Sequence, residues 1–216
     1  VQYIKDALEA TPKKLIVARM GELDGILADL LKEIKGKVEM NCWIGMVDAT
    51  QQETDDLVSF VKSSVKNNKK RYKALVYNAT TSDDTHILNL TNAKVTFKDE
   101  RKEQTGDMGI PYLLGYLAGL SLDMSSIAKP LQKFESVVEP EDLDEAINNG
   151  ELILHNDEGE VRVARGVNSL VTIGQRVTDD MKFILIVEVM DMIYTDIYTT
   201  WKNLYKGRFK NVLDNQ

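Results

Sequence analysis

The sequence predicts an α/β protein built on a mostly parallel sheet with helices on both faces, followed by a smaller α+β part. Three observations predict it. Short apolar runs at residues 15–18, 43–47 and 74–77 have the composition of strands covered on both sides. Amphipathic helical segments lie between them, so that strand, helix, strand, helix, strand implies right-handed crossovers. Beyond residue 80 the alternation gives way to hairpin-like pairs and short helices.

The first helix carries Leu23, Ile26, Leu27, Leu30, Leu31 and Ile34 as one apolar stripe ending at Gly36. The second opens with Thr50-Gln51-Gln52-Glu53, a capping box, and its stripe is Leu57, Val61 and Val65. Lys66, Lys69 and Lys70 crowd its end, where the helix dipole favours cations, so this basic run needs no ligand to explain it. His86 to Leu90 and Val95 to Phe97, separated by Thr91-Asn92-Ala93, predict a hairpin at the sheet margin. Ile110 to Leu122 reads as an apolar helix whose Gly115 and Gly119 permit close packing. Pro140, the acids Glu141, Asp142 and Asp144, and Gly150 as a stop delimit a short helix. Leu152 and Leu154 alternate against Val161 and Val163 across Asn156-Asp157-Glu158-Gly159 as a second hairpin. The last helix begins at Thr178 and carries Phe183, Val187, Met190, Tyr194, Ile197, Trp201 and Leu204 at spacings of 4, 3, 4, 3, 4, 3, a seam that asks for a long partner groove. The upper half, to Tyr194, is expected to be core.

The chain has 216 residues and a net charge of −7, enough to bury a core without covalent staples. One cysteine, Cys42, excludes a disulfide scaffold and a thiolate metal site, and its apolar neighbours suggest a buried, inert thiol. The acidic balance disfavours nucleic acid, which needs a basic stripe. Met108 to Leu122 is shorter than the ~20 residues of a membrane helix, so a soluble chain without a membrane segment is expected. It begins at Val1 and ends at Gln216, shortly after the strong helix, and is expected to be a segment of a longer protein.

No phosphate loop, dinucleotide fingerprint or zinc spacing is present, and Gly21, Gly25, Gly115 and Gly119 read as turns and packing. His86 and His155 are expected at the surface or a sheet edge. Ser169, in Gly166-Val167-Asn168-Ser169-Leu170, lacks a nucleophile elbow. Glu139, Glu141, Asp142, Asp144 and Glu145 lack the spacing and glycine of a calcium loop and complement a helix dipole instead. Arg19, Asp48 and Asn78 each follow one of the three predicted strands, where open α/β sheets collect ligands. They are the candidate site of an alternative reading, an enzyme or small-ligand-binding module. No cofactor, nucleotide or metal is expected.

Gly115-Tyr116-Leu117-Ala118-Gly119-Leu120-Ser121-Leu122, Glu139-Pro140-Glu141-Asp142-Leu143 through Gly150, Arg165-Gly166-Val167-Asn168-Ser169-Leu170, and Met190-Asp191-Met192-Ile193 with Gly207 and Asn211 follow in an order and spacing that resembles the tail sheath proteins of contractile bacteriophages and related defective-prophage particles. The resemblance spans mainly residues 106–216. It implies a non-enzymatic structural subunit, packed as stacked hexameric rings around a tail tube, that rearranges on contraction to drive the tube through the host envelope. It implies a subtilisin-like sheath core over residues 1–163, without the triad, and the start of a C-terminal sheath domain over 164–216, with both terminal arms missing. The implied partners are copies of the chain, the tail tube protein, and baseplate and tail terminator proteins. The implied location is the virion, after assembly in the host cytoplasm. Contact candidates are Leu152, Leu154, Val161 and Val163 on the hairpin, and Trp201, Lys202, Tyr205, Lys206, Arg208 and Lys210 at the end of the last helix.

Overall fold

The computed structural model of the chain describes residues 1–19, 27–38 and 40–206. Its centre is a four-stranded parallel sheet in the order β1-β2-β3-β7, with β1 Asn41–Gly45, β2 Arg71–Tyr77, β3 Ile87–Leu90 and β7 Glu151–Leu152. The apolar runs at 43–47 and 74–77 thus form adjacent strands, the first starting two residues earlier than the run. The equally apolar Leu15, Ile16 and Val17 do not. They lie outside any strand and are 36%, 40% and 59% exposed. Composition alone cannot supply the pairing partner a strand needs.

Alternation along β2 divides the core. Tyr72, Ala74 and Val76 face Leu57, Val58 and Val61 of α3 (Gln51–Asn68) and Leu27 and Leu31 of α2 (Leu27–Lys37). Leu75, with Leu88 and Leu90 of β3, faces Ile110, Leu113 and Leu117 of α4 (Ile110–Gly119). The capping box is present as expected: the Glu53 amide donates to Thr50 Oγ1 at 3.3 Å, and the Thr50 amide donates to Glu53 Oε2 at 2.8 Å. Gly36 falls inside α2 and does not end it, and Leu23 and Ile26 lie outside the described residues.

The stretch from His86 to Phe97 is not a hairpin. β3 pairs parallel with β2, whereas β4 (Lys94–Phe97) is the middle strand of a separate antiparallel sheet, between β5 (Glu103–Thr105) and β6 (Phe134–Val137). Asn92 turns the chain between them. Its buried amide accepts from the Leu154 amide at 2.7 Å and donates to the Leu154 and Val138 carbonyls at 2.8 and 3.0 Å, replacing ladder bonds that the bend removes.

The glycines of α4 do what their size predicts, since α1 (Gln2–Glu9) packs across them at Ala7 and Ala10. Asp6 of α1 is buried and receives Arg101 Nη1 at 2.7 Å and Lys133 Nζ at 3.2 Å. The short helix α5 (Leu143–Asn148) starts later than Pro140. Its cap is Asp142, which accepts from the Glu145 amide at 2.9 Å. The second hairpin is β8 (Leu154–Asp157) with β9 (Glu160–Val163), joined by Glu158 and Gly159, both with positive φ, as tight hairpin turns require. Leu152 belongs to β7 in the parallel sheet instead. The last helix is α6 (Ile184–Thr200), continued by a π-helical turn over Trp201–Tyr205. Among the described residues no helix is long and apolar enough to cross a membrane.

Candidate assembly surfaces

The Gly166–Ser169 segment fixes where α6 starts. The Ser169 amide donates to the Ile87 carbonyl of β3 at 2.8 Å, the Asn168 amide to the Lys182 carbonyl at 2.8 Å, and the Ile184 amide to the Gly166 carbonyl at 2.9 Å. Ser169 Oγ donates to the Asp84 carbonyl at 3.2 Å and accepts from the Asp84 amide at 3.3 Å. This serine is therefore a buried staple between β3 and the approach to α6.

Held there, α6 faces the sheet with an unusual side. At about 100° per residue, Ile184, Val187, Glu188, Asp191 and Thr195 share one arc. Glu188 and Asp191 meet Arg71 and Lys73, the positions of β2 that precede Leu75 on the α4 face. Lys73 is 1% exposed, within 2.6 Å of Glu188 Oε1 and 3.3 Å of Asp191 Oδ2. The Arg71 guanidinium stacks 3.7 Å from the Tyr194 ring centroid. His86, expected at the surface or an edge, is buried in the same cluster. The sequence concealed this group because Glu188 and Asp191 look like the solvent side of an amphipathic helix. The available signal was the pair of cations, Arg71 and Lys73, two apart at the start of an otherwise apolar strand.

The consequence is that the large apolar residues point outward. Met190, Ile193, Ile197, Trp201 and Leu204 form an exposed stripe, with Ile197 66% and Trp201 44% exposed. The predicted seam is thus split. Val187 is buried and Phe183 and Tyr194 are half-buried, while Met190, Ile197, Trp201 and Leu204 face out, so the expectation of core up to Tyr194 is corrected at Met190. Five large apolar side chains exposed along one face are unusual on a monomer surface. Lys202, Tyr205 and Lys206 are also exposed beside it. Arg208 and Lys210 lie outside the described residues, as do Gly207 and Asn211.

The hairpin candidates behave differently. Leu152, Leu154, Val161 and Val163 are all buried in the core that includes Phe97, Phe134 and Ile184. Their side chains are corrected from contact residues to core residues, because β8 and β9 lie over β6. Val137 and Asn156 exchange bonds there, the Val137 amide donating to Asn156 Oδ1 at 3.0 Å and Asn156 Nδ2 donating to the Val137 carbonyl at 2.9 Å.

The alternative site is not assembled as expected. Arg19 follows no strand. Asp48 and Asn78 do sit beyond the carboxyl ends of β1 and β2, both with positive φ. The Asp48 amide donates to Asp107 Oδ2 at 3.2 Å and the Asn78 amide to the Leu90 carbonyl at 3.0 Å. The cleft there, lined by Met46, Ala49, Thr54, Leu57, Tyr77 and Asp107 among others, has a volume of ≈ 20 Å³. That is room for about one water molecule. Among the described residues no group of three or more His, Cys, Asp or Glu is placed to hold a metal ion.

No family model matches the chain. A tail sheath protein of Clostridium phage phiCD119 is 28% identical over 207 residues, 95% of this chain and 56% of the relative. The sheath tail protein of Desulfitobacterium hafniense superimposes with a TM-score of 0.75 at 15% identity, over 82% of this chain and 43% of that one. The sheath tail protein of Listeria innocua gives 0.70 at 22% identity, over 79% and 39%. A chain of the anti-feeding prophage baseplate gives 0.68 at 10% identity, over 94% and 57%. The chain spans 56% of the length of the curated relative it matches. Over nearly its whole length this chain is similar in sequence to a phage tail sheath protein, and it shares the fold of two sheath tail proteins.

Proposed function

We propose that the chain is a structural, non-catalytic part of a contractile tail sheath, which polymerises as stacked hexameric rings around a tail tube and repacks on contraction to drive the tube through the host envelope. The observation that carries this reading is the similarity to a tail sheath protein along 95% of the chain. A contractile lattice needs no cofactor, because the work can come from one packing of folded units giving way to a more stable one. The outward stripe of α6, with Trp201, Lys202, Tyr205 and Lys206 at its end, is the surface we assign to contacts within the sheath. We extend the assignment to Arg208 and Lys210 from their place in the sequence. Hairpin β8–β9 contributes through its backbone edge. In the same reading residues 1–163 are the sheath core and 164–216 begin its C-terminal domain. The partners are further copies of the chain, the tube protein, and baseplate and terminator proteins. The assembled sheath belongs to the virion and forms in the host cytoplasm.

The test is a chimera in which this chain replaces the matching part of the Clostridium phage sheath protein, so that the rest of a sheath subunit is supplied. Electron microscopy should show regular tubes, and Ile197→Asp should abolish them while leaving circular dichroism unchanged. A folded chimera that forms no ordered assembly would remove the proposal.

A further inference from the structure

We propose that α6 is docked by a proton-dependent latch: His86, when charged, bridges Asp191 of the helix to Asp84 of the segment entering β3, and loss of that proton loosens the helix from the sheet.

The geometry of the ring carries the argument. His86 Nε2 lies 3.3 Å from Asp191 Oδ1, and Nδ1 lies 3.5 Å from Asp84 Oδ1 and 2.9 Å from Thr85 Oγ1. Nε2 therefore faces the Asp191 carboxylate, and Nδ1 faces the Thr85 hydroxyl with the Asp84 carboxylate close beyond it. A neutral ring can donate from Nε2 to Asp191 and accept from the Thr85 hydroxyl at Nδ1, but only the imidazolium brings a positive charge to both carboxylates. The groups facing the ring from every neighbouring element fit this. Arg71 and Lys73 come from β2, Asp84 and Thr85 from the segment before β3, and Glu188 and Asp191 from α6. With His86 charged, three cations meet three anions. With His86 neutral, one buried or half-buried carboxylate loses its counter-charge.

Two further observations make the latch reversible rather than a fixed core contact. Lys73 Nζ lies 2.6 Å from Glu188 Oε1 and 3.3 Å from Asp191 Oδ2, so opposite charges hold this part of the helix to the sheet. The helix also has little apolar grip on the sheet, since Ile184 and Val187 are its only fully buried apolar residues among those described. Burial alone would disfavour the imidazolium, but the bonds to Asp191 and Asp84 outweigh it and raise the His86 pKa above its ordinary 6.5. For Asp191 burial acts upward, and His86, Lys73 and Arg71 outweigh it, keeping the carboxylate charged. The sign follows. A raised imidazole pKa gives stability that is complete below 6.5 and is lost as pH rises through the folded value.

The experiment uses the chain itself. NMR follows the His86 ring through a pH titration while hydrogen exchange follows the α6 amides, corrected for the intrinsic pH dependence of exchange. The His86 midpoint should lie above 6.5, and over the interval between 6.5 and that midpoint α6 opening should rise by about tenfold per pH unit and then level off. Amides of α3 should not respond. In His86→Gln the α6 response should vanish. Should that variant fail to fold, Asp84→Asn, at a partly exposed partner, should lower the His86 midpoint and shift the α6 response with it. Opening of α6 that ignores the His86 titration, or a His86 midpoint at or below 6.5, would overturn the latch whatever the fate of the sheath assignment.

Discussion

Gly115 of α4 lies directly against the Ala7 carbonyl of α1, so that a Cβ at Gly115 would overlap that oxygen. The helices approach closely because Gly115 has no side chain at the crossing and α1 presents only the small Ala7 there. Gly115→Ala should force them apart and destabilise the chain by about 1–3 kcal/mol, the ordinary cost of overpacking. Gly36 is the control. It sits within α2 with nothing within 4 Å of an added Cβ, so Gly36→Ala should stabilise by up to about 1 kcal/mol through helix propensity. Urea unfolding of both variants separates the two. A neutral Gly115→Ala would mean that α1 is not held against α4 in solution.

The second anchor of α1 is electrostatic. Arg101 reaches Asp6 at 2.7 Å and Asp99 at 2.6 Å, and its hydrogen bond to Asp99 is the main reason that carboxyl falls from 3.8 to about 2. A depressed carboxyl pKa gives stability that is present above 3.8 and lost as pH falls toward 2. Asp99 is about a third exposed, so solvent screening keeps its share small. Melting temperature should fall from pH 4 to pH 2, and Asp99→Asn should flatten part of that slope. An unchanged slope in the variant would show that Asp99 is not paired in solution.

Cys42 on β1 tests burial directly. Desolvation is the largest influence on its thiol and pushes the pKa from 9.0 to about 12, despite the nearby Lys73 and Lys70. Because the thiolate is the nucleophile, alkylation at pH 8 should be on the order of tenfold to a hundredfold slower in the folded chain than in urea, the smaller thiolate fraction being partly offset by its greater nucleophilicity. Comparable rates would mean that the β1 edge opens readily.

These tests also mark what the sequence disclosed. The run from Ala74 was legible as a strand because residues buried on both faces need no periodicity to betray them, and the half-buried edge run from Trp43 shares that apolar composition. Leu15 to Ala18 carries the same signal without a partner, and pairing is a non-local property. His86 to Phe97 looked like a hairpin because local spacing cannot show that Asn92, by bonding to Leu154 and Val138, sends β3 and β4 into different sheets. The spacing of the final helix correctly announced a long apolar face. It was silent on which way that face points, since this depended on Arg71 and Lys73, more than a hundred residues earlier, receiving Asp191 and Glu188.

That orientation gives the last prediction. Ile197 is 66% and Trp201 44% exposed, so truncating them removes less buried area than emptying a core position. Trp201→Ala should cost about 1–2 kcal/mol, because part of the indole is covered and packs beside Tyr198. Phe134→Ala, which empties a position packed edge-on against Phe97 and Tyr112 at 5.2 and 5.3 Å between ring centroids, should cost about 3–5 kcal/mol. If the stripe is a contact surface, the order reverses in assembly. Trp201→Ala and Ile197→Asp should stop the sheath chimera from forming tubes at protein concentrations where the unaltered one assembles, because apolar anchors at the centre of a contact carry most of its energy. Thermal melts and light scattering on the same preparations decide it. A Trp201→Ala chain that melts many degrees lower would return this residue to the core, and one that melts only slightly lower and still assembles would clear α6 of any part in the contact.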